Sequence, residues 1–322
     1  RDHLMTQDAQ ERHGSAKLTF NTEMDFDYGV AKDVATGVRR IVANNPGPFT
    51  FKGTNTYIVG RGNVAVIDPG PDDPDHIDAI LQTVKGERIS HILITHTHRD
   101  HTDGIAPLKK HTEAPVLAFG ETGKERGAQT TSPSGKAFVD LGFIPDGILR
   151  HGDEVRGDGW TLDDIHTPGH APDHLCFAPA GQRRAFSGDH VMGWSTTVVA
   201  PPEGNMGDYM DSLEKLMERN DKVFFPGHGG RIETPQRAVR AYLMHRKMRE
   251  SAIYGCLENG DTFIPQIVSR IYSGLNAELE GAAALSVLAH LERLVDRGRV
   301  QCEERPLAIH SAFSIPPRGP LP

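Results

Sequence analysis

Sulfur is scarce in this chain of 322 residues: three cysteines, Cys176, Cys256 and Cys302, stand far apart. An odd, widely spaced set without a CxxC pair argues against a disulfide framework and against a sulfur-ligated zinc ribbon, so the three read as buried apolar thiols. Long apolar runs are missing too. None approaches the ~18–20 residues that span a bilayer, and the opening from Arg1 to Gly14 is polar and mixed in charge. Together these features point to the cytoplasm and away from a membrane partner. Repeats and low-complexity tracts are also absent. Positive charge is in deficit: 35 Lys and Arg against 43 Asp and Glu leave a formal net charge of −8. That argues against a broad electropositive surface and against non-specific nucleic-acid binding as the main role, though it allows a local basic groove. What is present is ordinary for a globular protein, 37% hydrophobic and 24% charged. The length suits one large α/β layer domain with a smaller companion, because single cores stop growing near ~250–300 residues.

Hydrophobic patterning supplies the organisation. GTNTYIVG and VAVID, within Gly53 to Asp68, read as a β-hairpin turning at Gly60–Asn63. Pro74 suits the first turn of a helix carrying Ile77, Ile80, Leu81 and Val84, and the apolar run Ile89 to Ile94 reads as a buried strand. Further strands are expected at Val116–Phe119, Trp160–His166, His174–Ala178, Arg184–Ser187 and Val223–Phe225, with a helix over about Tyr209 to Arg219. Two β-α layers facing each other fit this order. Beyond Thr234 the pattern turns helical, which divides the chain into a domain over 1–233 and a smaller one over 234–322. There Val287, Leu288, Leu291, Leu294 and Val295 share a helical face, Gly298 stops the helix, and Arg299–Cys302 is strand-like, the order of a winged helix. After Ser314 the tail is rich in proline and is expected to be loosely ordered.

The chemistry concentrates in Thr95-His96-Thr97-His98-Arg99-Asp100-His101, three imidazoles and a carboxylate within six residues, directly after a strand. His96 and His98 fall on one side of an extended segment, while Asp100 and His101 follow at the turn and can address a second ion. Packing asks for no such cluster. Three later residues, His170 in TPGH, Asp189 in SGD and His228 in PGHG, each follow a strand-like run beside a glycine. Imidazole with carboxylate suits zinc, with manganese or iron as alternatives.

In order, Asp68 in the VIDPG run, THTHRDH, TPGH, SGDH and PGHG resemble the motifs of the metallo-β-lactamase superfamily, over about residues 46 to 232. The run from Asn45-Pro46 to Gly60 and the helical tail resemble its β-lactamase-like protein 2 branch, which carries a C-terminal winged helix. The resemblance implies a four-layer αββα sandwich holding two divalent metal ions. It puts His96, His98 and His170 on one ion and Asp100, His101 and His228 on the other, with Asp189 bridging and Asp68 orienting a ligand. Asp103 departs from the glycine many relatives have there, which leaves the ligands untouched and changes the polarity of the loop. Secreted β-lactamases of the superfamily often use a cysteine ligand and an export signal; this sequence shows neither, so antibiotic hydrolysis is not expected.

Two ions roughly 3.5–4 Å apart can share a water, lower its pKa and present hydroxide to an ester, thioester or lactone, while Asp100 helps position the water's proton. A small-molecule substrate is the expected partner. The branch resemblance also brings in single-stranded RNA cleavage, but Arg246 to Arg305 holds eight Lys or Arg against nine Asp or Glu, not a basic platform. A non-enzymatic metal-binding module is the third reading, and seven ligands exceed what structural zinc needs. His174 could hold a ligand or touch substrate, His190 should point away from the site, and Thr54 and Asn55 read as hairpin residues. The tail is expected to roof the cleft, and metal binding to survive its removal near Thr234.

Overall fold

In the computed structural model, residues 18–120, 138–275 and 277–317 are described. The reading of Arg1–Gly14 lies outside them, as does the tail beyond 317. Two sheets form the centre. The first runs β1 (Lys32–Ala35), β2 (Val38–Val42), β3 (Asn55–Val59), β4 (Asn63–Ile67), β5 (Arg88–Leu93), β6 (Val116–Ala118) and β7 (Gly147–Ile148) in spatial order. Pairing is antiparallel from β1 to β4 and parallel from β4 to β7. The second runs β8 (Glu154–Gly157), β9 (Trp160–His166), β10 (Leu175–Pro179), β11 (Arg184–Gly188) and β12 (Val223–Pro226), antiparallel except for its last pair.

Strand alternation explains why the hairpin sequence is apolar throughout. Tyr57, Val59, Ala65 and Ile67 face the second sheet and meet Leu162, Phe177, Phe186 and Phe225. Ile58, Val64 and Val66 face the other way, onto Ile77, Ile80 and Val84 around α1 (Pro74–Thr83). A strand buried on both faces needs no polar side. Pro74 sits at the start of α1, and the Asp73 carboxylate accepts from the Asp75 N–H as its cap. Two short helices, α2 (Arg99–Thr102) and α3 (Ile105–Lys109), follow β5. On the outer face of the second sheet lie α4 (Met206–Glu218) and α5 (Pro235–Glu258). Tyr209, Leu213, Val239 and Tyr242 pack there on Cys176, Ala185 and Phe224. The order is therefore helix, sheet, sheet, helix, the four layers expected.

The C-terminal part adds α6 (Ile264–Ile271) and α7 (Ala277–Asp296). Its core joins Ile264, Ile267, Val287, Leu291 and Leu294 to Ile253 and Leu257 from the end of α5. Thus α5 begins just past Thr234 and enters both cores. The strand expected at Arg299–Cys302 is a single bridge, Gln301 with Ser314, because nearby Pro306, Pro316 and Pro317 lack the donors to extend a ladder. Ile315, expected in a loose tail, packs against this core half-buried. No helix among the described residues is long and apolar enough to cross a membrane.

Candidate metal centre

Strand ends deliver the site. β5 ends at Leu93 and the chain runs straight into His96 and His98, with Asp100 and His101 in the first turn of α2. His170 follows β9, Asp189 follows β11 and His228 follows β12. All seven residues converge, and they fall into overlapping groups: His96, His98 and His170; His96, His101 and Asp189; Asp100, His101 and His228.

In the first group, His98 Nδ1 lies 2.8 Å from His96 Nε2 and 3.1 Å from His170 Nε2. Donors 2.0–2.1 Å from one tetrahedral ion would stand about 3.3 Å apart. In the second, Asp100 Oδ2 is 3.2 Å from His228 Nε2 and 3.4 Å from His101 Nε2. Asp189 reaches both: its Oδ2 is 3.2 Å from His228 Nε2 and 3.8 Å from His170 Nε2, and its Oδ1 is 3.7 Å from His101 Nε2.

The outer nitrogen of each imidazole fixes which nitrogen is free. Asp68, at φ 52°, accepts from the Thr95 N–H at 2.8 Å, from the Thr95 hydroxyl at 2.7 Å and from His101 Nδ1 at 2.9 Å. Because the Thr95 hydroxyl hydrogen goes to Asp68, its oxygen accepts from His96 Nδ1 at 3.0 Å. His170 Nδ1 donates to the Val198 carbonyl at 2.7 Å, His228 Nδ1 to the Gly53 carbonyl at 3.2 Å, and His98 Nε2 to Glu203 at 3.2 Å. Every ring therefore donates outward and turns a lone pair inward, as metal-ligating histidines do. Buried His101 Nε2 and Asp189 Oδ1 have no hydrogen-bond partner among the described residues. Such orphaned donor atoms fit a cation between them.

Neighbouring carboxylates make three of the five rings more basic than an ordinary imidazole. Burial disfavours charge at His98 and at His228, but Glu203 at the first and Asp189 with Asp100 at the second outweigh it and raise both to about 9. At His101, burial is likewise outweighed by Asp100 and Asp68. Burial also opposes charge on Asp100 and Asp189, yet His101 and His228 hold both carboxyls ionised. The site is charge-rich, and a metal ion would have to displace these protons.

His174 holds rather than contacts: its Nε2 accepts from the Asp189 N–H at 3.1 Å and its Nδ1 meets the Thr167 hydroxyl at 2.9 Å. His190 stands against the Tyr209 ring, with neither nitrogen hydrogen-bonded among the described residues. Asn55 is buried and donates to the Pro226 and Gly229 carbonyls, tying β3 to the His228 loop. Thr54 does reach the site, donating to Asp100 Oδ2 at 3.1 Å. Asp103 pairs with Arg99 at 3.0 Å, one turn away on the helix surface. Sequence reasoning missed Glu203, which stands among Pro201, Pro202 and Gly204 with no pattern to mark it.

The metallo-beta-lactamase superfamily model matches residues 49–228, and a beta-lactamase associated winged helix domain matches residues 264–306. The chain belongs to the metallo-β-lactamase superfamily, whose members are generally hydrolases. Among its relatives is the Drosophila melanogaster beta-lactamase-like protein 2 homolog, 32% identical over 280 residues, covering 83% of this chain and 91% of that one. The Aspergillus niger lactamase-like protein adaB is 30% identical, with 85% of each chain covered. A solved beta-lactamase domain protein from Burkholderia ambifaria has the same fold, with a TM-score of 0.74 at 19% identity over 91% of this chain and 96% of that chain. The protein TTHA1623, solved in a di-iron-bound form, gives a TM-score of 0.50 at 28% identity over 62% of this chain and 96% of its own.

Proposed function

We propose that this protein is a dinuclear metal-dependent hydrolase acting on an ester, thioester or lactone bond of a small molecule. His96, His98 and His170 would hold one divalent ion, Asp100, His101 and His228 the other, and Asp189 would be shared between the two groups. The observation that carries this reading is the set of five imidazoles whose outer nitrogens all donate into the protein, leaving inward lone pairs beside two carboxylates. When bound, the ions supply Lewis acidity and make water acidic near neutral pH. Zinc suits this donor set, with manganese and iron as alternatives; the di-iron form belongs to a relative in fold.

The chain's own residues do the rest. Asp100 is the more open carboxylate, its side chain 27% exposed against 8% for Asp189. It can receive a proton from attacking water, with Thr54 fixing its orientation. Asp189 is clamped through its backbone by His174 and keeps the two ligand groups at a fixed separation. The near balance of charge from Arg246 to Arg305 supports a small substrate over an RNA backbone. Residues 1–233 form the catalytic domain in this reading, and 234–322 the accessory one. Three unpaired cysteines support a cytoplasmic setting.

The test is a panel of thioesters, lactones and single-stranded RNA, assayed with zinc- and manganese-loaded protein beside Asp189→Ala. Hydrolysis of a thioester or lactone that is lost in Asp189→Ala supports the proposal. Cleavage of RNA alone would replace it with the nuclease reading, a protein that retains its metal yet is inert on the whole panel would favour a metal-binding module, and no more than trace metal after loading would overturn the metal reading itself.

A further inference from the structure

We infer that Arg246 and Tyr242, on the first helix of the accessory region, are positioning residues for the metal centre. They act through the loop 189–198, and the inference rests on the metal reading above. That loop carries two of the site's fixed points: Asp189 at its start, and at its end the Val198 carbonyl that receives His170 Nδ1 at 2.7 Å. Within it, the Thr197 hydroxyl lies 2.8 Å from the Asp189 carbonyl and 3.0 Å from that of His190, closing the loop on itself.

Tyr209 of α4, Ser187 and Asn21 hold the loop at the His190, Val191 and Gly193 carbonyls, and α5 adds the contacts nearest Val198. Arg246 Nη2 donates to the Thr197 carbonyl at 2.5 Å, and the Tyr242 hydroxyl lies 2.5 Å from the Met192 carbonyl and also contacts that of Ser195. Both side chains are buried. Arg246 makes no ion pair among the described residues; its guanidinium lies over the Tyr209 ring, 5.2 Å from the centroid, and its Nε has no partner. A buried cation without a counter-ion carries a desolvation cost that an apolar residue of similar size would avoid. Its stacking on Tyr209 also joins α5 to α4. Its bond to the Thr197 carbonyl ends on the residue next to Val198, so it secures the carbonyl that orients His170 and the hydroxyl that fixes the Asp189 backbone.

The test measures zinc affinity of the full-length protein by chelator competition, together with the melting temperature of the metal-free form. Arg246→Gln should bind zinc about tenfold more weakly, the lower end of the effect of losing a ligand's supporting partner. Arg246→Lys, which keeps a charged donor, should recover most of that loss, and Tyr242→Phe should weaken zinc binding in the same direction. Arg293→Gln is the control: it breaks the buried Arg293–Glu250 pair between α7 and α5, one turn along the helix from Arg246. It should lower the melting temperature and leave zinc affinity at the parent value. If Arg246→Gln does not fold, Tyr242→Phe decides. Parent-like zinc affinity in the folded variants would overturn the inference, as would an equal loss in Arg293→Gln. A parent that takes up no zinc overturns the metal reading itself, and this inference with it.

Discussion

Asp68→Asn changes one oxygen to an NH2 group and should disable both halves of the metal centre. Asp68 faces three donors, the Thr95 N–H and hydroxyl and His101 Nδ1, at 2.7–2.9 Å. An amide has one accepting oxygen. The backbone N–H cannot turn, so the amide oxygen should stay there and the NH2 should meet the Thr95 hydroxyl and His101. His101 must then accept at Nδ1 and carry its hydrogen at Nε2, the atom that faces Asp100 and Asp189. Thr95, now accepting from the amide, must donate to His96 Nδ1, which moves that ring's hydrogen to Nε2 as well. Two hydrogen bonds to a charged group are lost, each worth ~1.5–3 kcal/mol, and ligand orientation fails in both groups, each expected to lose about 10–100-fold in metal affinity. The backbone should not resist, since asparagine tolerates the positive φ of 52° at this position. The assay is zinc stoichiometry and affinity against a chromophoric chelator, with circular dichroism to establish folding. Two zinc ions bound with parental affinity would refute the tautomer argument. Weakening at one site alone would refute the relay through Thr95.

Gly227→Ala should impair metal binding by steric means, because a Cβ there would sit 2.3 Å from Asp189 Oδ1 and 2.9 Å from His101 Cε1; zinc titration should show at least about tenfold weaker binding in a folded protein. Asp189→Ala should lower hydrolysis more than His101→Ala, since Asp189 touches donors of both groups; equal, mild losses in kcat/KM would contradict bridging. Burial beside Asp153 and Asp163 raises Asp164 to about 8 from the ordinary 3.8, and neither of its oxygens is hydrogen-bonded among the described residues. The folded state therefore binds a proton that the unfolded state releases between about pH 4 and 8, so this carboxyl makes stability fall as pH rises through that window. Asp164→Asn should flatten the slope and raise the melting temperature at pH 8 more than at pH 5; equal shifts at both would count against the raised pKa.

The site was legible because its chemistry is local. Four of the seven residues lie in one heptapeptide, and the rest stand beside glycines at strand ends, so residue type and order suffice to find them. Partners supplied by distant backbone leave no such trace. Glu203 reaches His98 across 105 positions of chain, and the Val198 carbonyl could belong to any residue. The fold shows the same division. The hairpin and α1 were readable from two β-rich runs around a turn and from Pro74 ahead of a helical apolar face, whereas no strand was expected upstream of Gly53, where β1 and β2 lie. In β2 every residue of Val-Arg-Arg-Ile-Val is buried, because Arg39 pairs with Glu87 and Arg40 donates to the Asp25 carbonyl. Tertiary partners, a carboxylate for Arg39 and a carbonyl for Arg40, satisfied side chains that a periodicity argument must count as exposed.

The role of the accessory region turns on the same point. An apolar helical face and balanced charge suggested a roof, which could be cut off near Thr234 while metal binding persisted. Yet α5 starts at Pro235, and the cut would remove Arg246 and Tyr242 along with Val239, which packs in the hydrolase core. The loop 189–198 would lose its outside hydrogen bonds at Thr197, Met192 and Ser195. Truncation at Thr234 should therefore weaken zinc binding, whereas truncation after Glu258, which leaves α5 intact, should largely spare it while exposing the apolar face of that helix's last turns. Measured in folded material, equal zinc affinity for the two truncations would mean that α5 only covers the sheet.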